Sequence, residues 1–200
     1  MPLKSTEKLR YRPMKLRNAF HHFVTITKHR WKVRSHCFRV GLYWQGLTHD
    51  LSKYSPAEFM TGVRYYQGTR SPNSRARELF GYSTAWMHHK GRNRHHFEYW
   101  TDLSVVTRRY EAVKMPPKYF VEMVMDRIAA CIVYQGSAYT SASALEYFLK
   151  SKERRLMHPQ VHRELEYLLT MLRDKGEQTT FRYLKENVLT GKPFPWELEE

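Results

Sequence analysis

The stretch Thr48-His49-Asp50-Leu51-Ser52-Lys53 decides how the chain is read. A histidine followed directly by an aspartate, with a lysine three residues on, is the kind of doublet that ligates metal. Imidazole and carboxylate together suit Mn, Fe, Zn or Mg better than the soft metals. The pair gains weight from its company: His29 and His36 before it, His88, His89, His95 and His96 after it, and Asp126 further on.

Working outward, residues 23–43 have a helical pattern in which His29, Val33, His36 and Val40 recur at spacings of four, three and four, so they share one face. Two histidines interrupting an apolar stripe are read with the His-Asp pair as parts of one cluster; His29 is the expected ligand, and His36 either joins it or packs beside it. Gly41 and Gly46 are expected to bracket a turn, and residues 47–54 to form a short helix carrying His49 and Asp50. Neighbouring helical side chains diverge by roughly 100°, an arrangement that suits a carboxylate shared by two ions with the histidine serving one. Ser55-Pro56-Ala57-Glu58 reads as a helix start, with Ser55 as N-cap and Glu58 closing a capping box. A role for Glu58 at a metal-bound water is the rival reading.

Residues 68–75 form a polar loop. The segment 86–100 then places His88, His89, Arg92, Asn93, Arg94, His95 and His96 around Gly91, so histidines from both sides of a helix break can converge. No strand pattern flanks it, which counts against a ββα nuclease. In residues 118–134, Tyr119, Met123, Asp126, Ala130 and Val133 form one helical face on which Asp126 is the sole charge; a buried carboxylate needs a cation or a full set of donors. Beyond residue 143 the chain reads as amphipathic helices with Ser143 and Glu146 as a second capping box, followed by a loose acidic tail of Glu197, Glu199 and Glu200.

Composition bounds the rest. Thirty-four Lys and Arg against 19 Asp and Glu give a formal charge of +15, and residues 1–40 hold eleven of those cations with Glu7 as their one acid. Such a field favours phosphate-bearing polyanions. The hydrophobic fraction of 42% supports a core. Cys37 and Cys131 form neither a CxxC motif nor a disulfide framework, and no apolar run approaches the roughly 18 residues of a membrane span. The expected protein is all-α, soluble and cytoplasmic, with no membrane contact. It comprises a basic arm (residues 1–22), a metal-binding helical core (23–140) and C-terminal helices packed on that core (141–200).

Read in order, His29, His49-Asp50, His89, His95-His96 and Asp126 resemble the H…HD…D pattern of the HD superfamily, and His49-Asp50-Leu51-Ser52-Lys53 is similar to its HD-x-G-K, with Ser52 in place of glycine. The intervening histidines resemble those of binuclear members, including the HD-GYP phosphodiesterases; the GYP signature is absent, so cyclic-di-GMP is not implied. More closely, His29-x-Trp-x-Val, the run Gly46 to Phe59, His-His-x-x-x-Asn-x-His-His-x-Glu-Tyr-Trp and Met-Pro-x-x-Tyr look like a phage and bacterial family of unknown function, sometimes mislabelled catalase, over about residues 25–165.

The resemblance implies an HD-like helical bundle. It also implies a phosphohydrolase acting on a phosphomonoester or phosphodiester, with a nucleotide or nucleic acid the expected substrate. One or two divalent ions (Mn, Fe, Zn or Mg) would be held by His29, His49, Asp50, His89, His95, His96 and Asp126. Asp50, Lys53 and Glu58 would be catalytic, and Lys53, Arg92, Asn93 and Arg94 would meet the phosphate. Two other classes fit the same residues: a nucleic-acid-binding protein with a structural metal, and an HD-fold di-iron oxygenase.

Overall fold

The computed structural model describes residues 14–150 and 156–198. The expected basic arm up to residue 13, and Glu199 and Glu200, lie outside them. Among the described residues eight α-helices form the body: α1 (Leu16–Arg39), α2 (Tyr43–Thr48), α3 (Pro56–Arg64), α4 (Pro72–Phe80), α5 (Thr84–Lys90), α6 (Pro117–Gln135), α7 (Ser143–Leu149) and α8 (Pro159–Tyr183). An antiparallel hairpin of β1 (Thr101–Leu103) and β2 (Tyr110–Ala112) joins α5 to α6, with Asp102 opposite Glu111. The all-α expectation therefore holds for the body, but a strand pair does follow the histidine-rich segment. It is largely exposed and lends no side chain to the metal clusters described below.

Helix α6 is the axis of the core. Phe120, Val121, Met123, Val124, Met125, Ile128, Ala129 and Cys131 are all buried, the signature of a helix enclosed on most sides. Against it lie the α1 stripe Ile26, His29, Val33, His36 and Cys37, and the α8 residues Val161, Leu165, Leu168, Leu169 and Leu172. Helix α8 breaks its regular geometry at Gly176, where φ is +73°, a conformation that glycine adopts without a Cβ penalty.

Helix α1 begins at Leu16, close to Met14 where the basic arm is expected to turn helical, and runs unbroken past residue 22. Several other local expectations are corrected. Gly41 turns the chain with φ +87°, whereas Gly46 lies inside α2. There its missing side chain lets Cys37 and Phe38 approach: an added Cβ would sit 3.0 Å from Cys37 Cβ. Residues 47–54 are not one helix; α2 ends at Thr48, and a separate 3₁₀ turn spans Leu51–Tyr54. The polar loop gives way to α4 at Pro72. Neither capping box forms. Ser55 stands at the N-cap of α3 without a side-chain cap bond, and Ser143 is already helical, its hydroxyl bonded to Gln135 instead. Glu197 is held too, accepting the Phe194 backbone N–H at 2.6 Å and bonding Gln160.

Two buried histidines serve the packing. His22 packs on Phe59 and Tyr66 across the seam between α1 and α3, and His36 packs edge-on against Phe181 at 5.2 Å. The space for His22 comes from Gly62, since a Cβ there would lie 1.9 Å from the imidazole Nε2. Alanine in mid-helix ordinarily gains up to about 1 kcal/mol over glycine. Here the clash outweighs that gain, and Gly62→Ala is expected to destabilise by about 1–3 kcal/mol, read as a lower denaturation midpoint.

Burial holds the His22 and His36 imidazoles down, each to about 4. As pH falls below about 6.5 the unfolded chain takes up protons that the folded chain refuses. Stability is therefore full above that pH and declines toward pH 4, by about 3 kcal/mol for each histidine. His36→Gln should flatten this dependence in denaturation curves taken across that range. An unchanged slope would show that His36 is not a source of it.

Candidate metal centre

Four separate pieces of chain converge on Asp50. Helix α1 supplies His29, and the turn after α2 supplies His49 and Asp50. Helix α5 and the loop after it supply His89, His95 and His96; α6 supplies Asp126. Asp50 itself adopts the left-handed conformation, φ 54° and ψ 26°, which aspartate tolerates better than most residues. That backbone reversal between α2 and the 3₁₀ turn sets the carboxylate into the interior, where it is wholly buried.

The two carboxylate oxygens face different clusters. Oδ2 lies 3.3 Å from His49 Nε2 and 3.5 Å from His29 Nε2, and these imidazoles lie 3.6 and 2.9 Å from Asp126 Oδ1. Oδ1 lies 3.3 Å from His89 Nε2 and 3.4 Å from His95 Nε2, with His96 completing that side. Each four-residue group, His29/His49/Asp50/Asp126 and Asp50/His89/His95/His96, keeps its donor atoms within 4.8 Å of one another. Both Asp50 oxygens, and Nε2 of His89, His95 and His96, are buried without a hydrogen bond; Lys53 Nζ meets Oδ2 as an ion pair at 2.5 Å. Buried polar atoms are seldom left orphaned. A set of imidazole lone pairs and carboxylate oxygens aimed at common points fits a hard or borderline divalent cation.

Behind the donors stands a layer of carboxylates. Glu122 Oε1 accepts from His49 Nδ1 at 2.9 Å and from His95 Nδ1 at 3.1 Å. Glu58 accepts from His89 Nδ1 through Oε2 and from His88 Nδ1 through Oε1, both at 2.7 Å. An ionised carboxylate only accepts, so a proton sits on each of these Nδ1 atoms and Nε2 is the edge left to face the clusters, the arrangement that orients metal-bound histidines. His49, His95 and Glu122 also bring donor atoms within 4.8 Å of one another. Asn93 holds the loop, its amide donating to Ser52 Oγ and to the His89 carbonyl, both at 2.8 Å.

The electrostatics favour positive charge. Burial would lower the His49 imidazole, but Asp50, Asp126 and Glu122 outweigh it and hold it well above the ordinary value. His89 is likewise raised against burial by Asp50 and Glu58. Burial would raise Asp50 and Asp126, yet the surrounding imidazoles, and for Asp50 also Lys53, hold both well below the carboxylate range. His96 is driven well down by burial and by His95 and His89, so it remains a neutral donor.

All seven expected ligands are thus brought together, and they divide into two groups that share Asp50. His36 is elsewhere, against Phe181, and His88 reaches Glu58 rather than the clusters. Glu58, expected at the metal-bound water or in a cap, instead acts through His89. Of the expected phosphate contacts, Lys53 is at Asp50. Asn93 is committed to the loop, and the exposed Arg92 and Arg94 bond the His88 carbonyl and the Tyr119 hydroxyl. Glu122 escaped the sequence reading; its signal was the one-turn spacing from Asp126 in a largely apolar stretch.

Residues 18–171 match the model of a family of unknown function (DUF5662), and the chain belongs to that family. No curated protein and no solved structure matches the chain. The family description assigns no activity, so the donor geometry is what bears on chemistry. Because Glu122 orients one imidazole from each group, Glu122→Ala should weaken Mn²⁺ or Zn²⁺ binding at both sites. A loss of about 10- to 100-fold is expected for an outer-shell partner, read by calorimetric titration. Glu58→Ala should weaken only the equivalent held by His89, so similar titration curves for the two variants would contradict this division.

Proposed function

We propose that this protein is a metal-dependent phosphohydrolase of the HD type, acting on a phosphomonoester or phosphodiester of a nucleotide or nucleic acid. The observation that supports it is the Asp50 carboxylate, with one oxygen turned to the His29/His49/Asp126 group and the other to the His89/His95/His96 group. A shared carboxylate between two donor sets is the frame that two-metal phosphoester chemistry requires.

A pair of divalent ions held there would supply Lewis acidity, lowering the pKa of water and drawing charge from a phosphoryl oxygen. The chain's own residues do the rest. His29, His49 and Asp126 would hold one ion, and His89, His95 and His96 the other. Glu122 and Glu58 keep the imidazoles turned, so that little reorganisation is needed when charge develops. Burial would lower Lys53, but Asp50 and Asp126 hold it above the ordinary lysine value, so it remains an ammonium. Its side chain is 27% exposed, which leaves it able to meet a phosphate oxygen beside the clusters.

Elemental analysis of the protein purified without chelator, followed by a phosphoester screen with the metal found, tests the proposal. Two equivalents of divalent metal and turnover of a phosphoester are expected. Asp50→Ala should lose both metal and turnover while its helical circular dichroism persists. Lys53→Ala should keep the metal and lose about a hundredfold in kcat/KM, the scale of one removed charge-stabilising group. A chain that neither contains nor takes up metal, or an Asp50→Ala variant that turns over like the parent, would defeat the proposal. An iron charge-transfer spectrum with oxygen consumption in place of hydrolysis would move the site to oxygenase chemistry.

A further inference from the structure

Outside the metal clusters, the outer side of α1 is chemically one-sided. From Lys8 to His49 the chain contains ten Lys and Arg and no acid over 42 residues, where 19 acids in 200 would place about four. Within α1 the cations alternate with rings. Trp31 is 62% and Phe23 48% exposed. The Arg34 guanidinium stands 4.9 Å from the Trp31 ring centre and 5.1 Å from that of Phe38.

Phe23 and Trp31 line an open groove of about 700 Å³ between α1 and α6. Phe23, Val24, Trp31 and Val133 form apolar walls, and Lys28 and Lys32 stand on the same stripe; no acidic residue lines it. From Phe23 to Ser35 the groove follows about three helical turns, roughly 18 Å.

We infer that this groove is a binding site for single-stranded nucleic acid, with bases against Phe23 and Trp31 and the phosphate backbone along Lys28 and Lys32. Aromatic platforms interleaved with cations are how proteins hold single strands without reading sequence. The form of the face chooses among polyanions. A duplex hides its bases and has nothing to offer the apolar walls. A flat anionic bilayer does not enter a groove. An acidic protein surface would supply charge but no array of flat rings at each step. The inference stands whether or not the metal clusters hydrolyse anything, because it uses none of their residues.

Fluorescence anisotropy of a labelled oligothymidylate with the intact protein tests the site. Binding is expected at low salt, with Trp31→Ala weakening it at least about tenfold, as removal of a stacking ring does. The double variant Lys28→Glu/Lys32→Glu should bind more weakly and show a shallower salt dependence. Trp44→Ala, exposed but outside the groove, should bind like the parent. Metal content and any turnover of these variants are measured separately, so loss of the strand site and loss of the metal chemistry remain distinct. The inference is overturned if the oligonucleotide does not bind, or if Trp31→Ala binds it like the parent. It is equally overturned if duplex, polyglutamate or phosphatidylserine vesicles occupy the groove more tightly than the single strand.

Discussion

The structure depends on the burial of one carboxylate. Asp50 is fully enclosed, a situation that costs several kcal/mol unless positive charge is brought to it. Four imidazole nitrogens at 3.3 to 3.5 Å and the Lys53 ammonium are the response. Their supports follow in turn: Glu122 and Glu58 hold the rings, and Gly46 lets α2 close against α1 so that the turn carrying Asp50 reaches the interior. The charge balance is informative. Asp50, Asp126, Glu58 and Glu122 face a single lysine, so with neutral imidazoles the cluster carries three negative charges. Two divalent cations would reverse its sign, which makes the same pocket receptive to an anion only when it is loaded.

Helical periodicity made much of this legible. His29 and Asp126 each interrupt an apolar stripe, and an apolar stripe broken by an ionisable group is readable wherever one face alone is buried. Glu122 illustrates the limit. On α6 nearly every direction is enclosed, so no polar face exists against which a second acid stands out. The spacing of Glu122 and Asp126 was the remaining clue. Glu58 shows a different limit, because Ser-Pro-x-Glu is also a helix-start pattern. The local cap and the distant histidines compete for one carboxylate, and the imidazole N–H groups of His88 and His89 won.

The left-handed Asp50 had no local signal at all. A helix through His49 and Asp50 satisfies propensity, and only the need to deliver the carboxylate between two donor groups selects the break. A continuous helix would have sent adjacent side chains about 100° apart. The observed turn lets His49 and Asp50 work side by side, with Nε2 and Oδ2 only 3.3 Å apart. The hairpin after Trp100 was hidden for a simpler reason: its strands are three residues each and mostly exposed, too short to display alternation.

Helix α1 joins the two chemistries. Inward it presents His29 to Asp126 at 2.9 Å; outward it presents the neighbouring Lys28 and, two residues on, Trp31 to the groove. Thr27, which lines the groove, bonds the Tyr54 hydroxyl at 2.9 Å, and Tyr54 closes the turn that carries Lys53. The groove and the metal centre are thus built on two sides of one helix, and the Thr27–Tyr54 bond ties the groove wall to the turn that carries Lys53.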